Sequence, residues 1–221
     1  MLKTVTYILV ELRRHAPFTA AGAVSGLGIM TVLVMGGYLN DVVSVAPSIF
    51  YILHPTHVLL SALVTTGVYR FHSSRGSVFI TFIIGYVGSV GIATLSDCLI
   101  PYLSEIILAL PNRELHIGFI EKPWLTNLAA LFGVTVAYIR PATKFPHAGH
   151  VLISTWASLF HILMALEYEL DIIMMVSITL FLFIAVWVPC CTSDFVFPML
   201  FVSETSDARE SEKFQIRNHI S

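Results

Sequence analysis

Six apolar runs, each close to the length of a membrane-crossing helix, decide what this chain can become. They cover about 16–38, 54–70, 76–98, 123–140, 147–166 and 172–191. A hydrocarbon core takes roughly 20 helical residues to cross, and inside it no water is at hand for an unpaired backbone amide. Each run must therefore close its own hydrogen bonds as a helix. Stretches such as IIMMVSITLFLFIAVWVP are apolar on every side, unlike the alternating strands of a transmembrane barrel. The predicted class is an all-α, polytopic helical membrane protein with six transmembrane helices. Composition agrees: 56% of the 221 residues are hydrophobic, 12% are charged, and the mean hydropathy is +0.82. A formal net charge of −2 gives no basic footprint for nucleic acid. The N-terminal apolar run TYILV is short and is followed by Glu11, Arg13 and Arg14, so a retained first helix is expected and not a cleaved signal peptide.

Lys and Arg are enriched in short cytoplasmic loops, which turns their positions into a topology. Lys3, Arg13 and Arg14 precede the first run, Arg70 and Arg75 follow the second, Arg140 and Lys144 follow the fourth, and Arg209, Lys213 and Arg217 lie in the tail. The remaining connections are poor in basic residues; the turn after the fifth run carries Glu167, Glu169 and Asp171. Both termini are thus predicted to be cytoplasmic, in the cell (inner) membrane. The 99–122 connection reads in part as an interfacial helix on the outer side, and 203–221 as a polar cytoplasmic tail. The run 42–53, VVSVAPSIFYIL, either dips into the bilayer as a half-helix or extends the second span; the sequence leaves both open.

Two phrases occur twice. HPTHVLLS at 54–61 returns as HAGHVLIS at 147–154, and SDCLIPYL at 96–103 returns as SDFVFPML at 193–200. The order is the same in both halves, which marks a duplicated unit of three helices, 1–98 and 123–202. Three is an odd number of crossings, so the second copy enters the membrane from the opposite side. Such 3+3 inverted repeats build many secondary transporters. On the loop charges His54, His57 and Asp97 fall toward the outer face and His147, His150 and Asp194 toward the cytoplasmic face, as two half-sites.

An i, i+3 pair of histidines stands on one helical face and can share one cation. Neutral imidazoles with a carboxylate suit a divalent transition metal such as Zn, Ni, Co, Mn or Fe, and thiolate from Cys98, Cys190 or Cys191 would add softness. Ser61 and Ser154, one turn beyond His57 and His150, are placed to orient an imidazole. Pro101 and Pro198 are expected to break the helix just after each aspartate. His161 lies mid-span on the fifth run. The leading expectation is a permease for a divalent transition-metal cation or similar small ion, proton-coupled through its histidines, with the lipid bilayer and the ion as partners; a homodimer is compatible with the 24.5 kDa mass. Two alternatives use the same residue types. One is an intramembrane metal-dependent hydrolase. The other is a haem-binding electron carrier, in which His147 and His161 on one helix and His57 and His72 on another would be the axial histidines of two stacked haems.

Overall fold

The computed structural model describes residues 2–73, 77–141, 144–167, 170–192 and 196–202; of His147 and Cys191 only the backbone is described, and Asp194 lies outside the described residues. These residues form helices α1 (Leu2–Gly36), α2 (Leu39–His72), α3 (Val78–Thr94), a π turn (Leu95–Leu99), α4 (Ile100–Ile107), α5 (Gly118–Glu121), α6 (Pro123–Ile139), α7 (Lys144–Met164), α8 (Ile172–Cys191) and α9 (Phe197–Met199), with no strand among them.

Four helical stretches are long and apolar enough to cross a membrane: His15–Gly36, Leu39–His72, Val78–Ile107 and Ile172–Cys190. Pro123–Ile139 and Gly149–Met164 are shorter apolar helices. Burial is arranged as a bilayer demands. Large apolar side chains such as Val24, Val32, Phe79, Trp124, Leu128, Ile172 and Leu180 are exposed, whereas His54, His57, Asp97, Glu105, His150 and His161 are buried with a set of serines and threonines. In water such an apolar exterior would drive aggregation; against lipid tails it costs nothing.

One open reading is decided and one expectation about a helix end is corrected. Of the two readings of 42–53, the structure shows the extension of the second span. Residues 42–53 continue it backwards, so α2 holds 34 residues and both Pro47 and Pro55, and His54 sits well inside the helix. At 1.5 Å per residue α2 is about 50 Å long, more than a bilayer core is thick. The third span does not end at Asp97. Pro101 was expected to stop it, yet the helix runs on to Ile107 through the π turn. There the N–H of Ile100 reaches back five residues to the carbonyl of Leu95, and Pro101 occupies the first turn of α4, where its missing N–H leaves no regular bond broken. Part of the connection expected at the interface is therefore transmembrane-type helix.

Helix packing crosses between the halves. α2 packs along α3, α6 and α7, while α1 packs chiefly on α7 and α8, and α6 on α2 and α3. The first helix of each half thus lies on the later helices of the other. Small residues make the close approaches: a Cβ on Gly133 of α6 would stand 2.6 Å from the carbonyl oxygen of Leu59 in α2. The α1–α2 turn is a Schellman motif, with Gly37 at φ +69° and the N–H of Tyr38 bonded to the carbonyl of Leu33 at 2.9 Å. The same motif closes α4, with Ala109 at φ 53° in the glycine position and Leu110 bonded back to Glu105 at 3.0 Å.

Candidate functional site

Helical spacing builds two polar stripes that face each other. On α2, His54, His57 and Ser61 follow at intervals of three or four residues; on α7, His150, Ser154, Ser158 and His161 do the same. Between them comes the π turn, which carries Ser96, Asp97 and Cys98, all buried. A widened turn shifts the register of side chains around the helix, and π turns concentrate at functional sites for that reason.

Asp97 is the hub. Its Oδ2 lies 2.9 Å from His54 Nδ1 and 2.7 Å from His57 Nδ1. Its Oδ1 accepts from Ser96 Oγ at 2.7 Å and from Ser154 Oγ at 2.8 Å. Four donors thus occupy the four lone-pair directions of one carboxylate, which is what a charge buried between spans requires. Ser158 fastens the turn itself, its hydroxyl donating to the Ser96 carbonyl at 3.0 Å.

With Nδ1 on a carboxylate, the lone pair of each neutral imidazole is left at Nε2. His57 Nε2 stands 3.9 Å from Cys190 Sγ. The His57 ring stacks on that of His150, with centroids 5.6 Å apart and planes at 9°. One ligand atom from each of His57, His150 and Cys190 lies within 4.8 Å of the others, and all three residues are buried. Tetrahedral zinc would hold such atoms about 3.3–3.8 Å apart, so a closing of about 1 Å brings three of the four ligand positions together and leaves the fourth open. Asp97 behind His57 is the carboxylate partner that metal-bound histidines ordinarily have.

The predicted residues divide accordingly. His57 and His150, one from each histidine phrase, meet directly, in place of two sets on opposite faces. His54 joins through Asp97, but its Nε2 has no hydrogen-bond partner among the described residues and rests against Gly118, where a Cβ would stand 2.6 Å from it. Cys98 packs instead with Phe50 and Ala157. Ser154 bonds Asp97, and Cys190 lies 3.8 Å from the same hydroxyl. Ser61 is buried in α2. His161 pairs with Glu105 at 2.7 Å, away from the three ligands. The side chains of His147 and Cys191, and Asp194 as a whole, lie outside the described residues.

Ser158, Glu105, His116 and Glu121 were not singled out from sequence, and Ser96 only as part of the repeated Ser-Asp phrase. Glu105 had a signal: it follows Asp97 by eight residues, two helical turns, and was hidden only by stopping the helix at Pro101. His116 Nδ1 lies 3.3 Å from Glu121 Oε2, which also receives the Tyr51 hydroxyl. Burial above all holds the His116 imidazole below its ordinary value, against the opposite pull of Glu114 and Glu105. Compared with protein-family models, with curated proteins and with solved structures, the chain has no significant match.

Proposed function

We propose that the protein is an integral membrane transporter for a divalent transition-metal cation, with the metal as its transported substrate and His57, His150 and Cys190 as ligands in transit. The observation that carries the reading is the His57 imidazole, held at Nδ1 by Asp97 and presenting Nε2 to Cys190 within the three-residue group. Two nitrogens and one thiolate favour Zn or a neighbouring late transition metal over Mn.

Transport accounts for the surroundings better than hydrolysis does. A metal-dependent hydrolase needs a base for its water, and Asp97, engaged by four donors, has no lone pair left to serve as one. Haem is also a poor fit. Both nitrogens of His161 are engaged, one by Glu105 and the other by the N–H of His116, so that ring has no lone pair to offer a haem iron.

A 3+3 inverted repeat, with both termini cytoplasmic, suits this reading. Its support is the exchange of first helices between halves and the π conformation of Thr192 and Val196, which flank the second Ser-Asp phrase as Leu95 and Leu99 flank the first. In such a protein the two histidine phrases serve one site near the repeat interface, and rocking of the halves exposes it to either side.

Zinc flux into liposomes containing the purified protein tests the reading. His57→Ala with His150→Ala is expected to abolish high-affinity zinc binding and flux together. Asp97→Asn, which keeps all ligands but loosens His57, is expected to weaken binding by about 10–100-fold. Zinc binding and flux unchanged in the double variant would contradict the ligand assignment.

A further inference from the structure

A second group of ionisable side chains lies apart from His57, His150 and Cys190. Glu105 of α4 is buried, with Oε1 at 2.7 Å from His161 Nδ1 of α7. Its other oxygen, Oε2, is buried with no hydrogen-bond partner among the described residues. The far side of the His161 ring is fixed as well, because the backbone N–H of His116 donates to Nε2 at 3.4 Å. A ring that accepts at Nε2 carries its proton at Nδ1, aimed at Glu105. His161 thus gives Glu105 a hydrogen bond without a compensating charge.

The neighbouring elements supply none either. α8, packed on α4, contains no Lys, Arg, His, Asp or Glu. The π turn brings Asp97, already engaged by two imidazoles. The 108–117 loop brings His116, with Glu114 at 3.9 Å and Glu121 at 3.3 Å from it, and Arg113, which is exposed and not buried with Glu105. Lys122 is occupied over the ring of Tyr51, 5.4 Å from its centroid. A carboxylate so placed needs one positive charge to be tolerated between spans, and Oε2 is the atom left to receive it. A metal would find a single oxygen there, since both His161 nitrogens are engaged. A proton needs only one.

We propose that Glu105 is a proton-binding site, taking up one proton at Oε2 from the end of the bundle lined by His116, Glu121 and Tyr51 and returning it to water as the metal moves. The coupling to metal rests on the transport reading above; the proton site itself does not. Phe50 keeps the two sites separate. Its buried ring stacks on His54 at 5.4 Å and meets His161 edge-on at 5.3 Å, an apolar spacer between the Glu105 pair and the Asp97 hub. Protons and metal are then loaded independently and coupled through movement of the helices.

The test uses the full chain in liposomes of phosphatidylcholine and phosphatidylglycerol, with zinc as the metal. Acid-minus-alkaline infrared difference spectra are expected to show a protonated buried carboxyl that disappears in Glu105→Gln and persists in Glu121→Gln. Glu105→Gln is also expected to bind zinc within about twofold of the parent and to exchange zinc for zinc, while zinc accumulation driven by a pH gradient falls at least about tenfold. Glu105→Asp, which keeps a carboxyl, should recover part of that accumulation, a rescue that a purely structural role would not give. An infrared band and gradient-driven accumulation both intact in Glu105→Gln would overturn the proposal. A parent protein that shows the band, loses it in Glu105→Gln, yet moves no zinc would uphold the proton site and remove the transport reading alone.

Discussion

At the scale of single residues, hydrogen-bond capacity decides the roles. Asp97 spends every lone pair on fixing two imidazoles and a helix turn, so it positions ligands and takes no part as a base. Glu105 has capacity to spare at Oε2. His116, in the loop beyond, yields a pH dependence of its own. Its pKa lies below the ordinary 6.5, chiefly through burial. Between the folded and unfolded values the unfolded chain binds more protons, so stability rises with pH across that interval. The contribution is fully present above about 6.5 and is lost as pH falls through the folded value. His116→Gln is expected to flatten the acid-side fall in melting temperature between about pH 7.5 and pH 5.5. Equal pH dependence in the two proteins would show that His116 does not contribute.

At the scale of elements, the sequence announces helices by their apolar length but conceals where some of them end. The sixth run was legible to the residue, since Ile172–Cys191 is apolar throughout and opens on Asp171, whose carboxylate accepts from the N–H of Met174 at 2.7 Å. The third was cut short because proline was weighed as a breaker. A π turn before Pro101 removes the clash, and no local pattern in SDCLIPYL announces that turn. The start of the second was left open for a similar reason, because Pro47 lies inside the run 42–53 that the structure shows to be its extension. Contact between elements was not legible at all. Gly133 looks like any glycine in an apolar run, yet an added Cβ would meet the Leu59 carbonyl at 2.6 Å and the Ala62 side chain at 2.8 Å. A backbone oxygen cannot turn aside. Gly133→Leu is therefore expected to part α2 from α6 and cost about 1–3 kcal/mol or more, read as a drop in melting temperature in detergent. An unchanged melting temperature would mean that the two helices do not approach so closely.

At the scale of the whole molecule, the polar interior and apolar exterior follow from one requirement, that lipid should meet only hydrocarbon while functional groups find partners inside. Histidine pairs and Ser-Asp phrases marked α2, α7 and the π turn as important, because buried polar residues need a reason in a chain with so few. Their convergence was hidden by the third dimension. Sequence set His57 and His150 on opposite sides; antiparallel packing of α2 on α7 stacks their rings. Cys190 enters from α8 only once that helix is docked on α7. Zinc K-edge X-ray absorption on the purified, zinc-loaded protein tests the central claim most directly. The claim predicts nitrogen neighbours at about 2.0–2.1 Å and one sulfur at about 2.3 Å, the sulfur vanishing in Cys190→Ser. A shell of oxygen and nitrogen alone, identical in parent and variant, would contradict it.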